Sequence, residues 1–264
     1  MLRCDGDRTV CQHQYTSFPL RLSTPFRLEG GKKIYHYLIN TSPGLLAGDK
    51  LNLSLQLAAN TSLYLTDQAA TKVHPMPNSN SATVNYQIIV DRHADLELVP
   101  EPIILYKDSI LEQNTTIKLH STAKLFISEI ILPGRIAKQE YYDFNYYLNR
   151  LQVSDLTGKL LFVDAMHLVG KNQFKNRLFS LPIIGNAIAI LPSVDLKLLT
   201  TQLENLELVN CKNIEVATSI LPSDNGLVIR ALSSKTIELK KYFTYAIDCI
   251  RTISDRPPLP YIAK

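Results

Sequence analysis

LNLSLQL, residues 51–57, puts a leucine at each odd position and a polar side chain at each even one. A period of two belongs to a β-strand with one buried and one wet face, because successive side chains leave an extended backbone on opposite sides. The alternation returns in Val84, Tyr86, Ile88 and Val90. Around these stretches, YHYLIN (35–40), TTIKLH (115–120), AKLFISEIIL (123–132) and LLFVDAMHLV (160–169) are rich in β-branched and aromatic residues and read as further strands. SDLTGK, 154–159, is the hairpin turn before the last of them. Helical spacing enters late. Leu196, Leu199, Leu203 and Leu206 follow Ser193 as the expected N-cap, and Leu239, Phe243, Ala246, Ile250 and Ile253 follow Ser233 and Ser234. Arg256 and the prolines at 257, 258 and 260 stop the second helix. The expected fold is mainly β, with two α-helices in the C-terminal third.

Strand, polar turn and second strand recur as a unit: LNLSLQL–AANTS–LYLTDQAATK, VNYQIIV–DRHAD–LELVPEPIIL and TIKL–HSTAK–LFISEIILPG. Their second strands begin at Leu63, Leu96 and Leu125, and a fourth strand begins at Leu160. Units of this kind each bury an apolar face against the next, as in a β-solenoid or stacked two-layer β structure. Residues 1–264 read as one domain, with 1–16 as a loose N-terminal tail. Pro75 and Pro77 with Asn78, Ser79 and Asn80 read as a surface loop within that domain.

The chemistry that stands out is a recurring carboxylate. Asp67, Glu101, Glu129 and Asp164 each follow the leading leucine of a second strand, by four residues in three cases and by five at Glu101, where Pro100 favours a bulge. Stacked at about 4.8 Å, such residues form a column of oxygen ligands suited to holding a hydrated divalent cation loosely. A carboxylate near a strand end is more commonly a charge in water. Glu129, inside the apolar LFISEIIL, is the exception: buried there, it requires Arg135, a backbone donor or a cation. Gly44 and Gly48 in SPGLLAGDKL supply positive φ in a connecting loop that ends in Asp49.

The remaining composition excludes more than it suggests. A net charge of +4, from 28 basic and 24 acidic residues with no Lys/Arg run beyond two, points to neither nucleic acid nor a membrane surface. MLRCDGDRTV has no apolar signal core and no stretch is long enough to span a bilayer, so the expected location is the cytoplasm. The four cysteines are scattered and read as reduced thiols. No two histidines lie three to five residues apart, and no GxGxxG, GxxxxGK or GxSxG occurs.

PLRLSTPF (19–26), SPGLLAGDKL (42–51), TDQAATKVH (66–74), LELVPEPIILYKDS (96–109), SEIILPGR (128–135) and GLVIR (226–230), followed by a closing helix and RPPLPYI, resemble the UreD (UreH) family of urease accessory proteins in both wording and order. QAATK is the most specific piece. The resemblance implies a non-enzymatic, mainly β scaffold with no tightly bound cofactor. It would join the helical accessory protein F and the nickel-carrying GTPase G, dock them on apo-urease, and guide transient Ni²⁺ through an internal passage, with a dimer of this chain compatible with such a complex. By position in the matching motifs, Asp49, Thr66, Gln68, Lys72, Glu101, Glu129, Gly134 and Arg135 are the candidates for partner contact or passage lining, with Asp67, Glu101, Glu129 and Asp164 for the passing nickel. Two rival readings are a β-solenoid carbohydrate-active enzyme using two of the carboxylates as acid and base, and a carbohydrate- or peptide-binding module using YYDFNYYLN (141–149) as its surface.

Overall fold

The computed structural model describes residues 1–28, 31–76, 80–171, 180–209 and 211–263. The chain opens with a hairpin of β1 (Leu2–Asp5) and β2 (Arg8–Cys11), so residues 2–11 are not the loose tail that 1–16 suggested. Leu2 is buried and pairs in parallel with Leu57, and the Thr9 side chain accepts the Ser62 N–H at 2.8 Å. That anchorage offsets the entropy which otherwise leaves termini loose. After β3 (Leu20–Leu22) and β4 (Ile34–Asn40), three coils follow. The first contains β5 (Lys50–Leu57), β6 (Ser62–Asp67) and β7 (Thr71–Val73); the second β8 (Ala82–Val90), β9 (Asp95–Leu98) and β10 (Ile103–Leu105); the third β11 (Ile110–Leu119) and β12 (Lys124–Leu132). Of the proline loop expected around 75–80, residues 77–79 lie outside the described residues.

Stacking is parallel and in register. β5, β8 and β11 align as Leu53↔Tyr86↔Thr115 in a first sheet, while β6, β9 and β12 align as Leu63↔Leu96↔Leu125 in a second. The three leading leucines therefore sit directly beside one another, as the repeat required. On the outer face of the first sheet, Asn52, Asn85 and Asn114 form a side-chain ladder, with amide hydrogen bonds of 3.0 and 3.3 Å. The coils differ in one respect: Leu65 to Thr71, Leu98 to Ile103 and Ile127 to Ile131 join the same two register points through six, five and four residue steps. Only the third coil crosses as one unbroken strand; the surplus in the others breaks the ladder between β6 and β7 and between β9 and β10.

The fourth strand does not continue the column. β13 (Tyr146–Asp155) returns to the first sheet parallel to β11, and β14 (Leu160–Val169) folds back antiparallel to it through the expected 154–159 turn. β14 is thus an edge of the first sheet, and Asp164 faces the second sheet from across the core instead of stacking beside Glu129. β15 (Ile183–Ile190), then β16 (Ile214–Ile220) and β17 (Gly226–Ser233), extend the second sheet antiparallel from β12 in the order β15-β17-β16.

α1 (Leu196–Glu204) and α2 (Thr236–Thr252) cover the outer face of the second sheet. Asp195, not Ser193, caps α1, accepting the Lys197 and Leu198 N–H groups at 3.0 Å; Ser193 sits at φ 66 in the turn before it. Lys235 stands at the N-cap of α2 and donates its N–H to the Ser233 hydroxyl at 3.1 Å. The helix docks through Leu239, Tyr242, Phe243, Ala246, Ile247 and Ile250. Its last turn also buries a charge: Arg251 is 1 % exposed and forks onto Glu97 of β9. No helix among the described residues is long and apolar enough to cross a membrane.

Candidate functional site

Between the sheets the core is divided in two. One apolar cluster gathers Leu57, Leu63, Ile88, Leu96, Ile117 and Leu125 near one end of the strands, and another gathers Val73, Val84, Leu105, Leu111, Ile131 and Tyr147 near the other. Across the gap runs a polar belt around a cavity of about 90 Å³, lined among others by Asp67, Tyr86, Glu101, Gln113, Thr115, Glu129, Asn149, Asp164, Asn186 and Arg230. The register creates the belt: on the first sheet Gln113 sits beside Asn149, and Thr115 beside Leu151 and Tyr86, so inward positions that are apolar elsewhere turn polar together. A larger cavity of about 580 Å³ lies against β3–β5 and the 13–19 segment, and it shares Leu20, Leu38, Leu51 and Leu53 with the first. Tyr15 and Phe18 of that segment are 79 % and 80 % exposed.

All four recurring carboxylates reach the belt, but not as a column. Glu129 lies in the unbroken β12, pairs with Asn186 of β15, and is surrounded by neutral donors. Gln113 Nε2 donates to it at 2.9 Å, Asn149 Nδ2 at 3.1 and 3.2 Å to its two oxygens, and the Tyr147 hydroxyl also donates. Burial pushes its carboxyl above the usual range, against those hydrogen bonds. Arg135, one of the three alternatives the sequence left open for Glu129, is instead bonded to Glu140. Glu101 falls in the break between β9 and β10, one step out of register, and turns to an ion pair with Lys240 of α2. Its N–H donates to Asp67 Oδ2 at 3.2 Å. Asp164 receives Arg230 Nη2 at 2.6 Å, an ion pair that joins the first sheet to the second. No group of three His, Cys, Asp or Glu among the described residues is placed to hold a metal ion by itself.

The other candidates lie elsewhere. Thr66 is buried and donates its hydroxyl to the Val99 carbonyl at 2.6 Å, tying adjacent coils. Gln68 is exposed just beyond β6. Asp49 closes the glycine loop by accepting the Leu46 N–H at 2.8 Å. Lys72, Gly134 and Arg135 gather where that loop meets β7: Leu45 N–H donates to the Lys72 carbonyl at 2.8 Å, and the Arg135 guanidinium lies 4.6 Å over the Tyr106 ring, whose edge meets His74. Gly44 (φ 147) and Gly134 (φ 148) are required there, since a Cβ would sit 2.5 Å from the Lys72 and Glu140 carbonyl oxygens respectively. The tyrosine-rich stretch is no binding surface either, because Tyr142, Phe144 and Tyr147 are 2 %, 0 % and 0 % exposed. Sequence reasoning missed Arg230, Gln113, Asn149 and Asn186; the one available signal was their polarity at inward positions of apolar strands.

The sequence pattern that defines the UreD urease accessory proteins matches residues 1–264. The chain belongs to the UreD family. The UreD of Trichodesmium erythraeum is 53 % identical over 270 residues, covering 100 % of this chain and 97 % of that protein. The UreD of Bacillus cereus is 27 % identical over 243 residues, covering 90 % and 86 %, and that of Actinobacillus pleuropneumoniae is 30 % identical over 216 residues, covering 78 % and 77 %. The chain is therefore a urease accessory protein, and the β-solenoid that suggested a carbohydrate enzyme is the architecture of this family member.

Proposed function

We propose that the chain is a non-catalytic scaffold of urease maturation, acting in the cytoplasm, that holds the helical accessory protein F and the GTPase G on apo-urease. In this reading nickel crosses the chain between its two sheets and enters urease without being released to solvent. One observation carries it: a polar belt interrupts an otherwise apolar inter-sheet core and adjoins a second cavity at β3–β5. Burying polar groups in that position is unfavourable unless they are bonded or serve a ligand. Oxygen donors on neutral amides and a few carboxylates suit a cation that is passed on and not trapped. Asp67, Glu129 and Asp164 would line the route, Glu101 its wall against α2, and Lys72, Gly134 and Arg135 the loop cluster beside it.

The experiment is deletion and return. Urease from cells lacking this chain should carry little nickel and recover it when the chain is restored, with F, G and urease co-purifying with the restored chain. Fully loaded, active urease in the deletion strain would overturn the proposal.

A further inference from the structure

Two rows of inward-facing residues cross the space between the sheets and end on the same ion pair. On the first sheet Leu53, Tyr86, Thr115, Leu151 and Asp164 stand side by side on β5, β8, β11, β13 and β14. On the second sheet Glu129, Asn186 and Arg230 do the same on β12, β15 and β17. Every one of them lines the smaller cavity. At about 4.8 Å from strand to strand, the longer row measures about 19 Å. Leu53, at its near end, also lines the larger cavity at β3–β5. Asp164, at its far end, stands on β14, the last strand of the first sheet. There Arg230 Nη2 donates to Asp164 Oδ1 at 2.6 Å, and the arginine and aspartate side chains are 43 % and 25 % exposed. Residues that line a cavity and also meet solvent mark a point where the cavity reaches the surface. At this point an ion pair spans the opening.

Resting on the passage reading above, we propose that the interval between Asp164 and Arg230 is the second mouth of the passage and that their ion pair is its gate. Closed, the pair ties the rims of the two sheets across the end of the cavity. Its two charges are not placed alike, since the guanidinium is the more exposed partner and the carboxylate the less. A cation arriving from inside therefore meets an attracting carboxylate, whereas a cation in solvent meets a guanidinium that repels it. A partly exposed ion pair is weakly held. A divalent cation at Asp164 displaces Arg230 and passes out, while the same ion outside is turned away. Fixed charges at the constriction of a pore discriminate between ions on the same principle. The mouth at β3–β5 has no such device: no carboxylate lines that cavity among the described residues, and Lys50 is the only lysine or arginine that does.

Thr115, in the middle of the longer row and 3 % exposed, offers the site for a probe. The full-length chain would carry Thr115→Cys together with Leu53→Trp, which closes the near end, and would be treated with a cationic and an anionic methanethiosulfonate of similar size. Modification of the introduced thiol is followed by peptide mass, apart from the four native cysteines. With the gate intact both reagents should react slowly, the cationic one more so. Arg230→Gln should speed the cationic reagent severalfold and the anionic one less. Asp164→Asn, which leaves the guanidinium unpaired, should speed the anionic reagent more. Reversing the pair, Asp164→Arg with Arg230→Asp, should turn the preference toward the cationic reagent, a result that a merely structural tie would not give. Rates that do not change with these substitutions, or that rise equally for both reagents, would overturn the gate and leave the passage standing. A thiol that stays inert in every variant, and also with Leu53 restored, would remove the passage and the gate with it.

Discussion

Removing Glu97 should destabilise the chain more than removing Arg251, although the two form one ion pair. Arg251 donates from Nε to Oε1 at 2.9 Å and from Nη2 to Oε2 at 2.5 Å, with 1 % and 2 % of the two side chains exposed. The pair is not isolated. Lys33 Nζ lies 2.8 Å from Glu97 Oε2 and 2.9 Å from Asp95, and Arg256 lies 3.5 Å from Glu97 and pairs with Asp95. Three cations therefore share two carboxylates. Arg251→Met leaves Glu97 neutralised by Lys33 and forfeits two charge-assisted hydrogen bonds, a loss of roughly 2 kcal/mol. Glu97→Met strips the buried guanidinium of the carboxylate that neutralises it and leaves three cations around Asp95, for about 3–5 kcal/mol. The double variant should recover much of that, because an apolar pair of similar volume replaces the buried ions. Urea unfolding curves compared at constant slope give all three values. A Glu97→Met loss no larger than that of Arg251→Met, or losses that simply add in the double variant, would refute the reasoning.

Two further outcomes follow from the same geometry. Burial alone would raise the Asp95 carboxyl, but Lys33 and Arg256 outweigh it and bring it down to about 2. Because the folded value is depressed, the stability Asp95 supplies is complete above its unfolded value near 3.8 and is lost as pH falls from there toward 2; Asp95→Asn should flatten that part of a stability–pH profile followed by circular dichroism. Gly134→Ala should cost about 1–3 kcal/mol in thermal unfolding, from a φ of 148 and a Cβ driven against the Glu140 carbonyl, whereas Gly158→Ala, with open space around it, should cost less.

Much of the fold could be read from side-chain period. LNLSLQL became β5, LLFVDAMHLV became β14, and Leu63, Leu96 and Leu125 align across three coils. Period does not say which sheet a strand joins. Leu160 alternates like its predecessors, yet the antiparallel 154–159 turn returns it to the first sheet. The straight carboxylate column failed for a related reason: six, five and four residue steps between common register points cannot keep Asp67, Glu101 and Glu129 in one row. All four nonetheless line one cavity, an arrangement the sequence did not suggest, because the two sheets face each other. Lys33, Glu97 and Arg251 left no trace in the sequence, since charges that meet across 154 positions have no local pattern.

Leu53 offers the most direct test of the central claim, because it lines both cavities and stands in the row of Tyr86 and Thr115. Leu53→Trp should fill their junction while leaving the outer faces of both sheets unchanged. Nickel per active site would be measured in urease purified from deletion cells carrying this variant, after confirming that the variant still co-purifies with urease components. Co-purification at the wild-type level with a severalfold loss of nickel is the predicted result. Full nickel occupancy with tryptophan in the passage would contradict it.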